Sequence, residues 1–292
     1  MTIHHLVVQS PGLTVEHAEQ LAALAQAQGV ARISATAARL LDVQHDDATR
    51  ADVVAWAERH GIDTAFVPAG LKLSHCKVLA MDMDSTLINI ECIDEIAGVA
   101  GVKDKVSEIT EAAMRGEIKD FAESLRRRVA LLKDVPAEAL EQVYTEKLRL
   151  NPGAERLITT AQAAGIKVLL VSGGFTFFAH VVRDRLGIDF VRANVLEIAS
   201  GPNCGELTGR MVDQPWGDIC DGAEKRRTLL EVASLLGIEP RQCIAMGDGA
   251  NDLPMMGVAG LSVAYHAKPA VREQAMVSIE QGGLDRLLEV LR

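Results

Sequence analysis

Aromatic side chains make up only 3% of the 292 residues. A core for a chain of this length must then be filled by Leu, Val, Ile and Ala, which suits helices packed on buried parallel strands. Cysteine is sparse too: Cys76, Cys92, Cys204, Cys220 and Cys243 are widely spaced, with no C-x-x-C pair. That spacing argues against a disulfide framework and fits reduced thiols, with cysteine chemistry outside the mechanism. No long Lys/Arg run occurs and the net charge is -10, so the electrostatic basis for binding nucleic acid or anionic membranes is missing. An anionic substrate would have to meet local positive charge. No apolar run approaches the roughly 20 residues that span a bilayer, and the opening MTIHHLVVQSPG lacks a basic segment leading into a long apolar one. The expectation is a soluble cytoplasmic protein. No internal repeat or low-complexity segment stands out.

What is present is alternation. From about 1 to 70 the pattern reads strand (IHHLVVQ), amphipathic helix, one or two strands (ARISATAARLLDV), helix (TRADVVAWAERHG) and strand (DTAFVP), a small α/β sandwich. Pro and Gly break the periodicity at PAGLKLSHC, which puts a junction near 69 to 75 and divides the chain into 1–72 and 73–292. KVLAMDMD then reads as a buried strand ending in acids. Mainly helical sequence follows until IKVLLVS at 166 to 172, too long a gap for a simple crossover, so residues from about 88 to 150 are expected to form an inserted helical cap. Beyond it, repeated strand–helix units predict a doubly wound parallel sheet. IDFVRANVLEI is read as one strand, and VLEIASGPNCGELTGRMVD as a projecting β-hairpin with its turn at ASGPNCG.

In open α/β sheets ligands bind beyond the carboxyl ends of the strands. Three such ends carry MDMDST, VSGGFT and MGDGAND, bringing Asp82, Asp84, Asp248 and Asp252 toward one crevice. Two carboxylates about 5 Å apart repel by roughly 3 kcal/mol at an effective dielectric of 20, a cost that a hard cation relieves. Mg2+ fits, since it takes carboxylates, a carbonyl, waters and a phosphate oxygen in an octahedron; Asp82 and Asp248 are its expected carboxylate ligands. A lone D-x-D would more simply be a turn or helix cap, but three matching strand ends weigh against that. In VSGGFT, backbone N–H groups and the Ser172 hydroxyl can receive phosphate oxygens at a helix N-terminus, although a Gly pair there also makes a tight turn. Lys225 is read as starting the helix EKRRTLLEVASLLG, where the dipole disfavours a cation unless something negative compensates. It is either an exposed lysine or the partner of the acids.

The ordered set DMDSTLI, VSGG, Lys225 and GDGANDLPM resembles the four motifs of the haloacid dehalogenase superfamily over about 75 to 290. From NIECIDEIAG through FAESLRRRVALLKD, the cap is similar to the phosphoserine phosphatase branch of that superfamily. The resemblance implies Asp82 as nucleophile and Asp84 as acid and base, with the Asp84 main-chain carbonyl a third metal ligand. It implies that Ser172, Gly173, Lys225 and Asn251 hold the phosphoryl group and that Asp252 holds Lys225 or a metal-bound water. It also implies phosphoserine as substrate, in the last step of serine biosynthesis by the phosphorylated route, with Arg128 meeting the substrate carboxylate and Glu91 its ammonium. Helix geometry favours Arg128 independently: at about 100° per residue it projects within roughly 20° of Phe121 and 40° of Leu132, while Arg126 and Arg127 point away. Snorkelling or pairing with an internal acid is the competing account. Met114 and Phe121 are read as pocket walls or plain core.

The catalytic motifs do not choose the substrate, so phosphatase or phosphotransferase action on another small phosphate ester is the alternative. Asp84 argues against a phospho-acceptor signalling domain, which gains nothing from an acid–base residue beside its nucleophile, and against a haloalkanoate dehalogenase. Residues 1–72 are similar to a small ferredoxin-like or ACT-like unit; binding a regulatory amino acid, homodimerisation and packing all stay open for it.

Overall fold

The computed structural model describes every residue except 1, 2, 115, 116, 119, 202, 203 and 218, together with the side chain of residue 114. Strand β1 (His4–Gln9) leads through α1 (Val15–Leu24) to a hairpin of β2 (Gly29–Ser34) and β3 (Ala37–Val43). Helix α2 (Asp47–Arg59) and β4 (Asp63–Pro68) follow. Each helix starts where a side chain satisfies a free amide: the Thr14 hydroxyl accepts from His17 N at 3.1 Å, and the Asp46 carboxylate accepts from Thr49 N at 2.9 Å. Successive residues of a strand face opposite ways. Leu6 and Val8 accordingly enter a small core with Leu21 and Val53, while Val7 faces the large core of the rest of the chain.

After a 3-10 turn at Leu73–His75 comes β5 (Val78–Met81). Four cap helices follow: α3 (Cys92–Val99), α4 (Lys103–Met114), α5 (Phe121–Ala130) and α6 (Glu138–Glu146). Then α7 (Ala154–Ala163), β6 (Lys167–Phe175), α8 (Thr176–Leu186) and β7 (Phe190–Asn194) resume the sheet. A hairpin of β8 (Leu196–Ile198) and β9 (Leu207–Met211) precedes α9 (Gly222–Leu235), β10 (Cys243–Gly247), α10 (Leu253–Met256) and β11 (Leu261–Tyr265). The chain closes with α11 (Pro269–Arg272), β12 (Val277–Ile279) and α12 (Leu287–Val290).

The strand order is β2-β3-β1-β4-β12-β11-β10-β5-β6-β7, and the run from β12 to β7 is parallel throughout. β5 is covered on both faces: Val78 and Ala80 pack toward α9, Leu79 and Met81 toward the cap side, where Ile93, Ile96, Leu125 and Val129 share their core. From β5 the chain winds to β6 and β7 on one side, then returns to β10 on the other. The order therefore reverses between β5 and β10, which opens a crevice at their carboxyl ends.

Three features depart from the pattern read in the sequence. β4 lies antiparallel beside β12 through the pair Val277↔Ala65, so the sandwich and the parallel sheet form one ten-stranded sheet. β12 is too short to announce itself by periodicity, and the junction shields what would otherwise be an open edge. IDFVRANVLEI is not one strand: β7 ends at Asn194 and β8 leaves the sheet to pair with β9. Part of the expected ASGPNCG turn, at 202 and 203, lies outside the described residues. Lys225 does not start its helix, because Asp221 caps α9 at Gly222, accepting from Glu224 N at 2.8 Å.

Polar contacts reinforce the junction. The Asp63 carboxylate accepts from the backbone N–H groups of Glu280 at 3.0 Å and Gln281 at 2.9 Å. Arg286 donates to the Thr36 hydroxyl and carbonyl at 2.6 and 2.8 Å, and Arg39 donates to the Val290 carbonyl at 2.9 Å.

Candidate active site

Asp82 follows β5 directly, and its backbone N–H donates to the Met246 carbonyl of β10 at 3.0 Å, which seats it at the crevice. Its Oδ1 accepts from Met83 N at 2.7 Å and from Lys225 Nζ at 2.8 Å. The same ammonium reaches Asp252 Oδ1 at 2.7 Å, and Lys225 is wholly buried. Burial opposes its charge, but Asp252 and Asp82 outweigh that and push the ammonium above the ordinary lysine range. The negative partner that the helix position demanded is thus a pair of aspartates. For Asp82, burial and the charge of Asp252 push the carboxyl well up, against the pull of Lys225.

The turn Met83–Leu87 carries the next residues, with Ser85 in the left-handed region at φ 56°. That reversal brings the Ser85 hydroxyl to Glu91 Oε1 at 2.6 Å and turns Asp84 back toward the crevice. Asp84 Oδ1 accepts the Cys92 thiol at 3.1 Å. Burial, then the neighbouring charge of Glu91, push the Asp84 carboxyl up to about 8, the direction that favours its protonated form. Asp248, after β10, accepts from the Thr86 hydroxyl at 3.1 Å, and burial and the charge of Asp252 push its carboxyl up to about 6.

Ser172 is buried within β6, three residues before its end, and its hydroxyl oxygen accepts from Gly174 N at 2.8 Å. The strand runs on to Phe175, so α8 begins four residues beyond Ser172 rather than at the Gly pair. Gly174 has no room for a side chain, since a Cβ would stand 2.7 Å from Asp84 Oδ2. Gly173 lies under Phe121 of the cap, whose ring would be 3.0 Å from a Cβ there. Phe121 therefore roofs this loop, while the Met114 side chain lies outside the described residues.

Arg128 is half-buried on α5, and Arg126 and Arg127 are exposed, as the helix angles require. Among the described residues its hydrogen bond is Nε to the Ser124 carbonyl at 3.4 Å. Burial lowers its pKa, while Asp94, Glu91 and Asp84 act on it as nearby charges. Asn251 sits in the 3-10 turn Ala250–Asp252, its backbone carbonyl against Gly222 at the start of α9. The structure thus links Asp82, Lys225 and Asp252 directly, Asp84 with the Ser172 loop, and Asp248 with Thr86. Glu91 joins through Ser85, whereas Arg128 and Asn251 border the cluster without such a bond among the described residues.

Oxygens of Asp82, Asp248 and Asp252 all lie within 4.8 Å of one another. Oxygens about 2.1 Å from magnesium stand roughly 3 to 4.2 Å apart in an octahedron, so the spacing suits a hard divalent ion. Both oxygens of Asp252 are engaged, by Lys225 and by Gly249 N at 3.0 Å, which leaves Asp82 and Asp248 as the better ligands. Burial and then the charge of Asp252 push the carboxyls of Asp82 and Asp248 upward, a cost that a cation would relieve.

A family model described as haloacid dehalogenase-like hydrolase matches residues 76–260. The chain belongs to this family. A model described only as a domain of unknown function matches residues 6–53. A phosphoserine phosphatase of Polaromonas sp. is 69% identical over 222 residues, which cover 76% of this chain and 92% of that protein. The unliganded crystal structure of a probable phosphoserine phosphatase from Vibrio cholerae superposes with a TM-score of 0.80 at 36% identity, covering 98% of this chain and 86% of the other. A phospho-aspartyl intermediate analogue of phosphoserine phosphatase superposes with a TM-score of 0.67 at 38% identity, covering 74% and 99%. The strand-end acids and Lys225 all fall within the span matched to the hydrolase family.

Sequence reading passed over four residues that the structure puts to use. Thr86 and Cys92 stand in the motifs and bond the carboxylates of Asp248 and Asp84. Asn151 donates to the carbonyls of Thr86 at 2.8 Å and Ile88 at 3.1 Å, fastening the Met83–Leu87 turn to the far end of the helical insertion. Asn194 bonds the Ser172 loop. A polar residue inside the apolar run IDFVRANVLEI, as Asn194 is, is the one signal the sequence offered.

Proposed function

We propose that this chain hydrolyses O-phosphoserine to serine and inorganic phosphate through a phosphoaspartate on Asp82. One observation carries the reading: a buried carboxylate, Asp82, held by Lys225, with Asp84 two residues along the same turn, opens beneath a cap that offers Arg128 and Glu91. The relatives named above support the substrate.

Asp82 attacks phosphorus in line with the serine oxygen, and the P–O bond to serine breaks as Asp84 gives that oxygen its proton. Asp84, now a carboxylate, takes a proton from the water that attacks the phosphoaspartate. Phosphate leaves and Asp82 is restored. Charge gathers on the equatorial phosphoryl oxygens in a loose transition state, so positioning donors matter most. We assign that work to Ser172, Gly173, Lys225 and Asn251. Asp82, Asp248 and the Asp84 carbonyl would hold Mg2+, which supplies Lewis-acid stabilisation of those oxygens. Asp252 keeps Lys225 in place. Arg128 meets the substrate carboxylate and Glu91 its ammonium.

We take residues 1–72 as an accessory unit, 73–292 as the phosphatase and about 88–150 as its cap. Homodimerisation through the accessory unit is read by light scattering on the full chain. Among the described residues no helix is long and apolar enough to cross a membrane. With five free cysteines, we place the chain in a reducing cytoplasm, at the last step of serine synthesis from a phosphorylated precursor. Phosphate release from phosphoserine, phosphothreonine and a sugar phosphate, each with and without Mg2+, tests the reading. Preference for phosphoserine that depends on Mg2+ is expected; preference for the sugar phosphate would move the chain to another small ester.

A further inference from the structure

Asn194 ends β7 with no solvent exposure, and both groups of its amide are in use. Its Nδ2 donates to the Gly173 carbonyl at 2.7 Å, and its Oδ1 accepts from Cys220 N at 2.7 Å. Reversing the amide would set oxygen against oxygen and N–H against N–H, so its orientation is determined. The peptide between Gly173 and Gly174 is therefore held at both ends: its carbonyl by Asn194, and its N–H by the Ser172 hydroxyl oxygen at 2.8 Å.

Two consequences bear on an anion. A backbone carbonyl turned into the crevice would set a partial negative charge against a phosphate, and Asn194 keeps the Gly173 carbonyl out of it. The Ser172 oxygen, by accepting from Gly174, leaves its own hydrogen to donate outward. The other arm of Asn194 reaches Cys220, next to the Asp221 that caps α9, the helix of Lys225. One buried amide thus spans the loop carrying Ser172 and the root of the helix carrying Lys225, and the Cys220 carbonyl lies only 3.4 Å from a Gly173 Cβ position. We infer that Asn194 is a positioning residue of the phosphate site, which sets the Gly173–Gly174 peptide plane and locks the Ser172 loop to the Lys225 helix without touching substrate. The inference rests on the phosphatase reading above.

Asn194→Asp keeps the size and the acceptor for Cys220 but, once ionised, cannot donate to the Gly173 carbonyl. With Mg2+ present, KM for phosphoserine and the inhibition constant of inorganic phosphate should both rise by about five- to tenfold at pH 8. Relative to the unsubstituted enzyme at each pH, that deficit should shrink toward pH 5.5 as the new carboxyl protonates and regains a donor. Asn194→Ser, which carries no charge, should show a deficit that does not change with pH, and it carries the test if the aspartate variant fails to fold. Folded variants with lowered melting temperature but unaltered KM and phosphate inhibition would overturn the inference and leave the phosphatase reading intact. If the unsubstituted enzyme prefers another phosphomonoester, the same constants are read on that ester. If it hydrolyses none, both readings fall.

Discussion

Replacing Gly174 by alanine adds one methyl beside the Asp84 carboxylate. The new Cβ would stand 2.7 Å from Asp84 Oδ2, 3.0 Å from Ser172 Oγ and 3.1 Å from Met83 Cε. Met83 is fully buried, so the polar neighbours have to yield. Ordinary contact begins near 3.4 Å, so Asp84 must retreat by about 0.7 Å. A misplacement of about 1 Å can cost about 100-fold in rate, so a loss between tenfold and 100-fold is expected, or about 1.4 to 2.7 kcal/mol. Overpacking should cost about 1 to 3 kcal/mol of stability, which a thermal melt separates from catalysis. The assay is phosphate release at saturating phosphoserine. Pairing the change with Asp84→Asn sharpens it, because once the acid–base group is lost the added methyl should cost little more. A kcat within twofold of the unsubstituted enzyme, or full additivity in the double variant, would refute the placement of Asp84 as proton donor.

Asp82→Asn should abolish turnover and leave no acid-stable phosphoprotein after incubation with labelled phosphoserine; retained labelling would move the nucleophile elsewhere. Arg128→Ala should slow phosphoserine hydrolysis on the order of 100-fold in kcat/KM while sparing a simple aryl phosphate, which has no carboxylate to lose. Equal losses on both substrates in a folded variant would reassign Arg128 to cap structure. Burial pushes the Asp63 carboxyl up to about 6. Between about pH 4 and 6 the folded chain thus keeps a proton that the unfolded chain has released, and this group's contribution to stability falls as pH rises through that window. Asp63→Asn should flatten the fall by at most about 3 kcal/mol in urea unfolding series; an unchanged slope would show that Asp63 does not titrate there.

Short-range pattern was enough for much of the active-site region. The apolar runs ending in Asp82 and Asp248 are legible because a strand buried on both faces needs near-continuous apolar residues. Chemistry then collects where those strands end, since only there does the backbone open toward a crevice. The side of α5 on which Arg128 lies also follows from the helical repeat alone. Lys225 was legible as an anomaly, a cation in the first turn of a helix, and the family resemblance named Asp252 for it; the direct bond to Asp82 came from the structure.

What the sequence by itself determined, then, is the inventory of acids at strand ends, the alternation that makes a parallel sheet, and the helical insertion after β5. Each rests on interactions between residues a few positions apart. Tertiary structure alone decided the join of β4 to β12, whose three residues carry too little pattern to read. It also decided the bonds from Thr86 to Asp248 and from Asn194 to Gly173, which close over separations of 162 and 21 residues. Such contacts depend on strand order and register, set by how two faces of the sheet are buried at once, and no local periodicity encodes which distant side chain will arrive opposite a given carbonyl.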